Sequence, residues 1–187
     1  MLDEQKIEQS SRIIRELISE GKIVRPKAGT DIFFLQKSRE SLDVSQRLME
    51  LQDEEGLPTN LWVINTSYYS MFFAATALLA KFSHRIKTES GIHRLTYHAL
   101  VHYFMKEENR LKKHFMEEYE LAVDEAENIL QLSENRIEKL VKDLDFEMAK
   151  RKEFTYEMGK IAEKSKAETS LSRARKFFIE IEKVMNI

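Results

Sequence analysis

Apolar residues recur along this chain at the three- and four-residue spacing of helix faces, and the runs are separated by a few turn signals. From Asp3 to Gly21, residues Ile7, Ile13, Ile14, Leu17 and Ile18 share one face and Gly21 supplies a stop, which predicts a short amphipathic helix. The stretch from Lys22 to Thr30 lacks periodicity and holds Pro26 and Gly29, so it reads as a connector. A second helix is predicted from about Ile32 to Glu54, with Phe34, Leu35, Leu42, Leu48 and Met49 inward, ending at Gly56-Leu57-Pro58. Thr59 to Phe82 is the most apolar stretch, with apolar residues around most of its circumference, and this predicts the central helix of a bundle. Asn60, Asn65, Thr66, Ser67, Ser70 and Thr76 interrupt it, which favours burial in protein over a membrane span of roughly 20 predominantly apolar residues.

After a polar, basic turn from Ser83 to Gly91, the residues Ile92, Leu95, Ala99, Leu100, Tyr103 and Phe104 restore a helical stripe. Leu111, Phe115, Tyr119, Ala122, Ala126, Ile129 and Leu130 continue it, and Ile137, Leu140, Val141 and Leu144 extend the face, as one long helix or as two broken near Ser133. Phe154, Ile161, Leu171, Ala174, Phe177, Phe178, Ile181 and Val184 close the pattern. The expectation is an all-α, up-and-down bundle of five to seven helices. Residues 1–30 form an amino-terminal helix and connector, and residues 31–187 form the bundle itself.

Composition narrows the picture. Five glycines and two prolines are too few for a many-stranded sheet with its hairpins. The 187 residues, 42% of them hydrophobic, suffice for one domain with a proper core. With 30 basic against 32 acidic residues, the overall field gives no drive toward nucleic acid or an anionic membrane, so any such site must be a local patch. The absence of cysteine excludes disulfides, zinc-thiolate sites and thiol nucleophiles. The first residues, Met1-Leu2-Asp3-Glu4-Gln5-Lys6, are acidic and polar where a signal peptide needs a basic start before an apolar run, so a cytoplasmic location is expected.

Three short motifs follow one another along the chain. Trp62 to Ala80 reads WVINTSYYSMFFAATALLA, a tandem tyrosine ahead of a run of small residues and leucines. Lys87-Thr88-Glu89-Ser90-Gly91 is a polar turn that opens on Lys-Thr and ends on glycine, and Arg151-Lys152-Glu153-Phe154-Thr155-Tyr156 leads into the Ser165 to Phe178 segment. In this order and spacing they resemble the HEPN family (higher eukaryotes and prokaryotes nucleotide-binding) over about Phe34 to Met185. The resemblance implies a helical bundle, a homodimer, and pairing with a minimal nucleotidyltransferase as in toxin-antitoxin systems. It also implies a site related to metal-independent ribonucleases, with Arg151 at the arginine position and Tyr156 where active members carry histidine. A free tyrosine has a pKa of about 10 and is a poor proton acceptor near neutrality, whereas arginine still holds phosphate. The resemblance therefore implies a degenerate site that binds RNA or nucleotide, with an active ribonuclease as the alternative.

Other residues offer weaker chemistry. The run Lys81, His84, Arg85, Lys87, His93 and Arg94 is the best candidate phosphate-contacting surface, with Arg85, Lys87, His93 and Arg94 as its core; an ordinary solvated loop is the rival reading. His98 and His102 share a helical face at the spacing of a two-histidine metal pair, but a third ligand is missing and no metal site is expected. No glycine-rich phosphate loop or acidic magnesium motif occurs, so no cofactor is expected. A third functional class is a purely structural interaction module, for which the apolar face of the first helix, Ile7 to Ile18, is the natural contact.

Overall fold

The computed structural model describes residues 2–88, 90–107, 110–125 and 163–186. Helix α1 (Glu4–Ser19) starts where the Asp3 carboxylate accepts the Lys6 N–H at 2.9 Å, satisfying one of the free donors of the first turn. Strand β1 (Ile23–Val24) follows, then α2 (Thr30–Glu55) and α3 (Asn60–Lys81), and β2 (Arg85–Ile86) leads into α4 (Ile92–Leu100). α4 runs on into a π-helical segment, Val101–Glu107. Residues 113–125 form α5, and α6 spans Lys164–Met185. The protein is an all-α helical bundle, with one two-stranded antiparallel ribbon among the described residues.

α3 is the central element, packed against α2, α4 and α6. Among the described residues it alone has the length and apolarity of a membrane span, and 67% of that stretch is buried inside the bundle. The larger core gathers Met71, Leu78, Leu100, Phe104, Tyr119 and Phe177 from α3 to α6. A smaller core joins Met49 of α2, Val63 and Ile64 of α3, and Ala167 and Leu171 of α6. On α6 the buried positions Leu171, Ala174, Phe177, Phe178, Ile181 and Val184 repeat the predicted stripe.

α2 turns its predicted face inward: Met49 is buried, and Phe34, Leu35, Leu42 and Leu48, half-buried, pack against the two cores. Its innermost positions beside Met49 are Ser38 and Ser45, which the apolar pattern does not mark. The Ser38 hydroxyl donates to the Ser70 carbonyl at 2.7 Å, and Ser45 lies 2.6 Å from the Ser67 hydroxyl and 3.1 Å from the Val63 carbonyl. Thr59 at the start of α3 reaches the Leu48 carbonyl at 2.7 Å. Short side chains that bond backbone carbonyls across the contact let two helices approach closely without orphaning a hydroxyl. Replacing Ser67 with leucine should overpack this seam and cost about 1–3 kcal/mol, read as a lower urea midpoint at unchanged slope.

The apolar face of α1 is not available to a partner, contrary to the expectation from sequence. Leu2, Ile14 and Leu17 are buried in the main core, Ile7 packs against it, and only Ile18 of the predicted stripe is exposed. The face is covered by α4 and the π segment, and the Leu2 N–H and Lys6 ammonium add bonds to Glu117 and Glu120 of α5 at 2.8 and 3.1 Å.

Candidate functional site

The tandem tyrosine of α3 falls on two sides of the helix surface. Tyr68 is 4% exposed and belongs to the main core, whereas Tyr69 is 39% exposed. Successive helical residues stand about 100° apart, so a tandem pair at the edge of a buried face must divide in this way. His93, the second residue of α4, packs against both tyrosines and Phe72, with ring centroids 5.4, 6.1 and 4.4 Å away. Gly91, in the left-handed conformation at φ 68°, sets the entry of α4 that brings His93 there; a residue with a Cβ would be strained at this position. Arg94 is held by Asp124 of α5 at 2.7 Å.

Tyr119 of α5 is wholly buried, stacks on Phe177 at 5.0 Å, and completes this region. Burial pushes its phenol well above the ordinary value of 10, nearby Tyr68 adds to the rise and Arg94 opposes it. A phenol in such surroundings stays protonated at neutral pH and serves packing, not proton transfer. His93 and Arg94 thus face the bundle, joined to α3 and α5.

Arg85 and Lys87 lie elsewhere, on the ribbon. β1 and β2 pair with Ile23 opposite Ile86 and Val24 opposite Arg85, and the Lys87 N–H donates to the Lys22 carbonyl at 2.8 Å, extending the ladder by one residue. Ile23 and Ile86 pack against the core. Alternation then puts Lys22, Val24, Arg85 and Lys87 on the outer face, and Lys22, Arg85 and Lys87 are exposed. The predicted basic run is therefore divided: Arg85 and Lys87 face solvent, and His93 and Arg94 turn toward α3 and α5. His84, just before β2, stacks on Tyr103 of the π segment at 3.8 Å with the rings nearly parallel. The Arg110 guanidinium lies 4.5 Å from the Phe82 ring.

The ribbon brings to Arg85 and Lys87 a second basic stretch, Lys22 to Lys27, that the sequence reading treated only as a connector. The signal lies in Lys22-Ile23-Val24-Arg25 and Arg85-Ile86-Lys87, where Ile23-Val24 and Ile86 are each framed by basic residues. Arg151 and Tyr156 lie outside the described residues.

His98 and His102 do share a face, and it is turned onto α1. His98 Nδ1 lies 2.9 Å from the Ser10 hydroxyl, and His102 Nδ1 lies 3.3 Å from that of Ser11 with Nε2 3.2 Å from Glu107. Burial, first, lowers the pKa of both imidazoles. Among the described residues no group of three or more His, Asp or Glu side chains converges as a metal site would require.

Compared with protein-family models, curated proteins and solved structures, the chain finds no match. The functional reading stands on its own residues.

Proposed function

We propose that this protein is a HEPN-type, RNA- or nucleotide-associated cytoplasmic protein with a degenerate ribonuclease site, partnered with a minimal nucleotidyltransferase in a toxin-antitoxin-like pair. The observation that carries the reading is the position of the tandem-tyrosine stretch. It forms the centre of the bundle, and its two tyrosines meet His93 at the head of α4, directly after the Lys87–Gly91 turn. Two motifs quoted for the family from sequence thus adjoin in space. Exposed Trp62, at 60%, and Tyr69, seven residues on along the same side of α3, support a homodimer by offering an apolar contact stripe.

Arg151 supplies charge to a phosphate in this reading, and Tyr156 leaves proton transfer without a group that titrates near neutrality. The test is incubation of the purified chain and its Arg151→Ala variant with mixed RNA in the presence of a chelator. The expected result is salt-sensitive RNA binding without cleavage, weakened in the variant, with a salt slope smaller by about 1. Chelator-resistant cleavage lost in the variant would make the protein an active ribonuclease. No RNA binding, and no nucleotidyltransferase encoded beside it, would leave the structural-module reading.

A further inference from the structure

We infer that the basic ribbon, built from residues 22–29 and 81–88, is the tract that binds the phosphate backbone of RNA. The inference rests on the RNA-associated reading above and assigns it a surface. Those two stretches hold Lys22, Arg25, Lys27, Lys81, Arg85 and Lys87 with no aspartate or glutamate, in a chain whose net charge is −2. The pairing of Ile23 with Ile86 fuses them into one surface although they lie far apart in sequence.

The charges on this surface are poorly neutralised. Exposed cations such as Arg15, Lys37, Arg39, Arg47 and Lys164 each have a carboxylate within 4.0 Å, whereas Lys166 and Lys176 of α6 have none among the described residues, so what sets the ribbon apart is the clustering of such cations. Lys22 has Glu20 at 2.7 Å. Arg25, Lys27, Lys81, Arg85 and Lys87 have no carboxylate within that distance among the described residues, and all five are exposed. Lys22 and Lys87 stand directly opposite each other, and like charges across a ladder repel unless an anion lies between them. On the outer face Arg85 and Lys87 recur about 7 Å apart with Lys22 across the ladder from Lys87, so a flexible polyanion meets three cations there.

Two alternatives fit less well. An anionic membrane surface would want an apolar anchor among the charges; neither stretch carries one, and exposed Ile18, Ile32 and Phe33 stand outside them on α1 and α2, so vesicles are included as a probe below. Base-specific readout would want donors held in a fixed aim at base edges, whereas the exposed Arg85 and Lys87 side chains have no hydrogen-bond or ion-pair partner fixing them among the described residues, so the contact is one of charge and not of sequence.

The experiment uses the full chain and a fluorescent single-stranded oligoribonucleotide, with phosphatidylserine-containing vesicles as a second probe. Three proteins are compared: wild type, the ribbon variant Arg85→Glu/Lys87→Glu, and the control Lys166→Glu/Lys176→Glu, which makes the same charge change on exposed positions of α6. Circular dichroism and melting establish that each is folded. The ribbon variant should bind RNA roughly 10- to 100-fold more weakly at low salt and lose about 2 from the slope of log affinity against log salt, with the control near wild type. Equal loss in both variants would reduce the effect to net charge and overturn the ribbon assignment. Wild-type binding that both variants retain would overturn the ribbon but leave the RNA reading standing. No binding by the wild type would overturn both, and binding of vesicles in place of RNA would make the ribbon a membrane contact.

Discussion

Substituting Phe177 with alanine should cost about 3–5 kcal/mol and lower the melting temperature by on the order of 10 °C. Phe177 is 0% exposed, on the inner stripe of α6, and its ring stacks 5.0 Å from that of Tyr119 of α5. Its loss removes a large apolar side chain from water-free surroundings and opens a void between two helices of the main core, where neighbours close up only in part. The cost also falls on Tyr119, whose buried hydroxyl has no hydrogen-bond partner among the described residues and is kept in place by ring packing. Chemical denaturation checks the value. A loss below about 1 kcal/mol would mean that the α5–α6 contact is not part of the cooperative core.

Acidification should loosen α1 before the rest of the bundle. His98 and His102 bond adjacent serines of α1, and burial is the largest cause lowering each pKa below 6.5. Around His98, Arg94 lowers it further and Glu120, which also holds Lys6, opposes the shift. Around His102, Arg15 and Lys106 lower it, and Glu107 and Glu8 oppose. The folded state binds fewer protons than the unfolded one between the two pKa values, so stability falls with falling pH there. The contribution is full above the unfolded value of about 6.5 and is lost as pH falls from there through the depressed folded value. The protection of α1 amides, taken as the ratio of intrinsic to observed exchange rate at each pH, should therefore fall as pH drops below about 6.5 while that of α3 holds, and His98→Gln/His102→Gln should flatten the dependence. Protection of α1 that does not change as pH falls below that value would refute it.

Elements with a long, regular stripe were legible in the sequence. The buried face of α6 is legible because Leu, Phe and Ile at three- and four-residue spacing mark a core face directly, and α3 is legible as the central helix from its overall apolarity, though not in which side it buries, since much of that side is Ala and Ser. The inner face of α2 was missed at Ser38 and Ser45, since serine carries no apolar signal and its burial depends on which carbonyls the facing helix presents. Trp62 shows the opposite error: an apolar residue in the most apolar helix is 60% exposed, so residue type alone does not tell which side of α3 is buried. The ribbon escaped notice because two residues per strand are too few for alternation to register, and its partners lie on either side of the α2–α3 pair. His98 and His102 were read as sharing a face, but nothing in their spacing named Ser10 and Ser11 as what that face meets. Of the candidate phosphate contacts, Arg85 and Lys87 were legible as exposed cations, whereas the engagement of Arg94 with Asp124 needed the helix packing.

The ribbon also imposes an order of assembly. Ile23 can meet Ile86 only after α2 and α3 have doubled back on each other, because the closing contact spans everything between them and the entropy of that loop must be met first by the serine seam. α1 is thus synthesised before the surfaces it needs: its seat waits for the α2–α3 hairpin and for the α4 surface that follows β2.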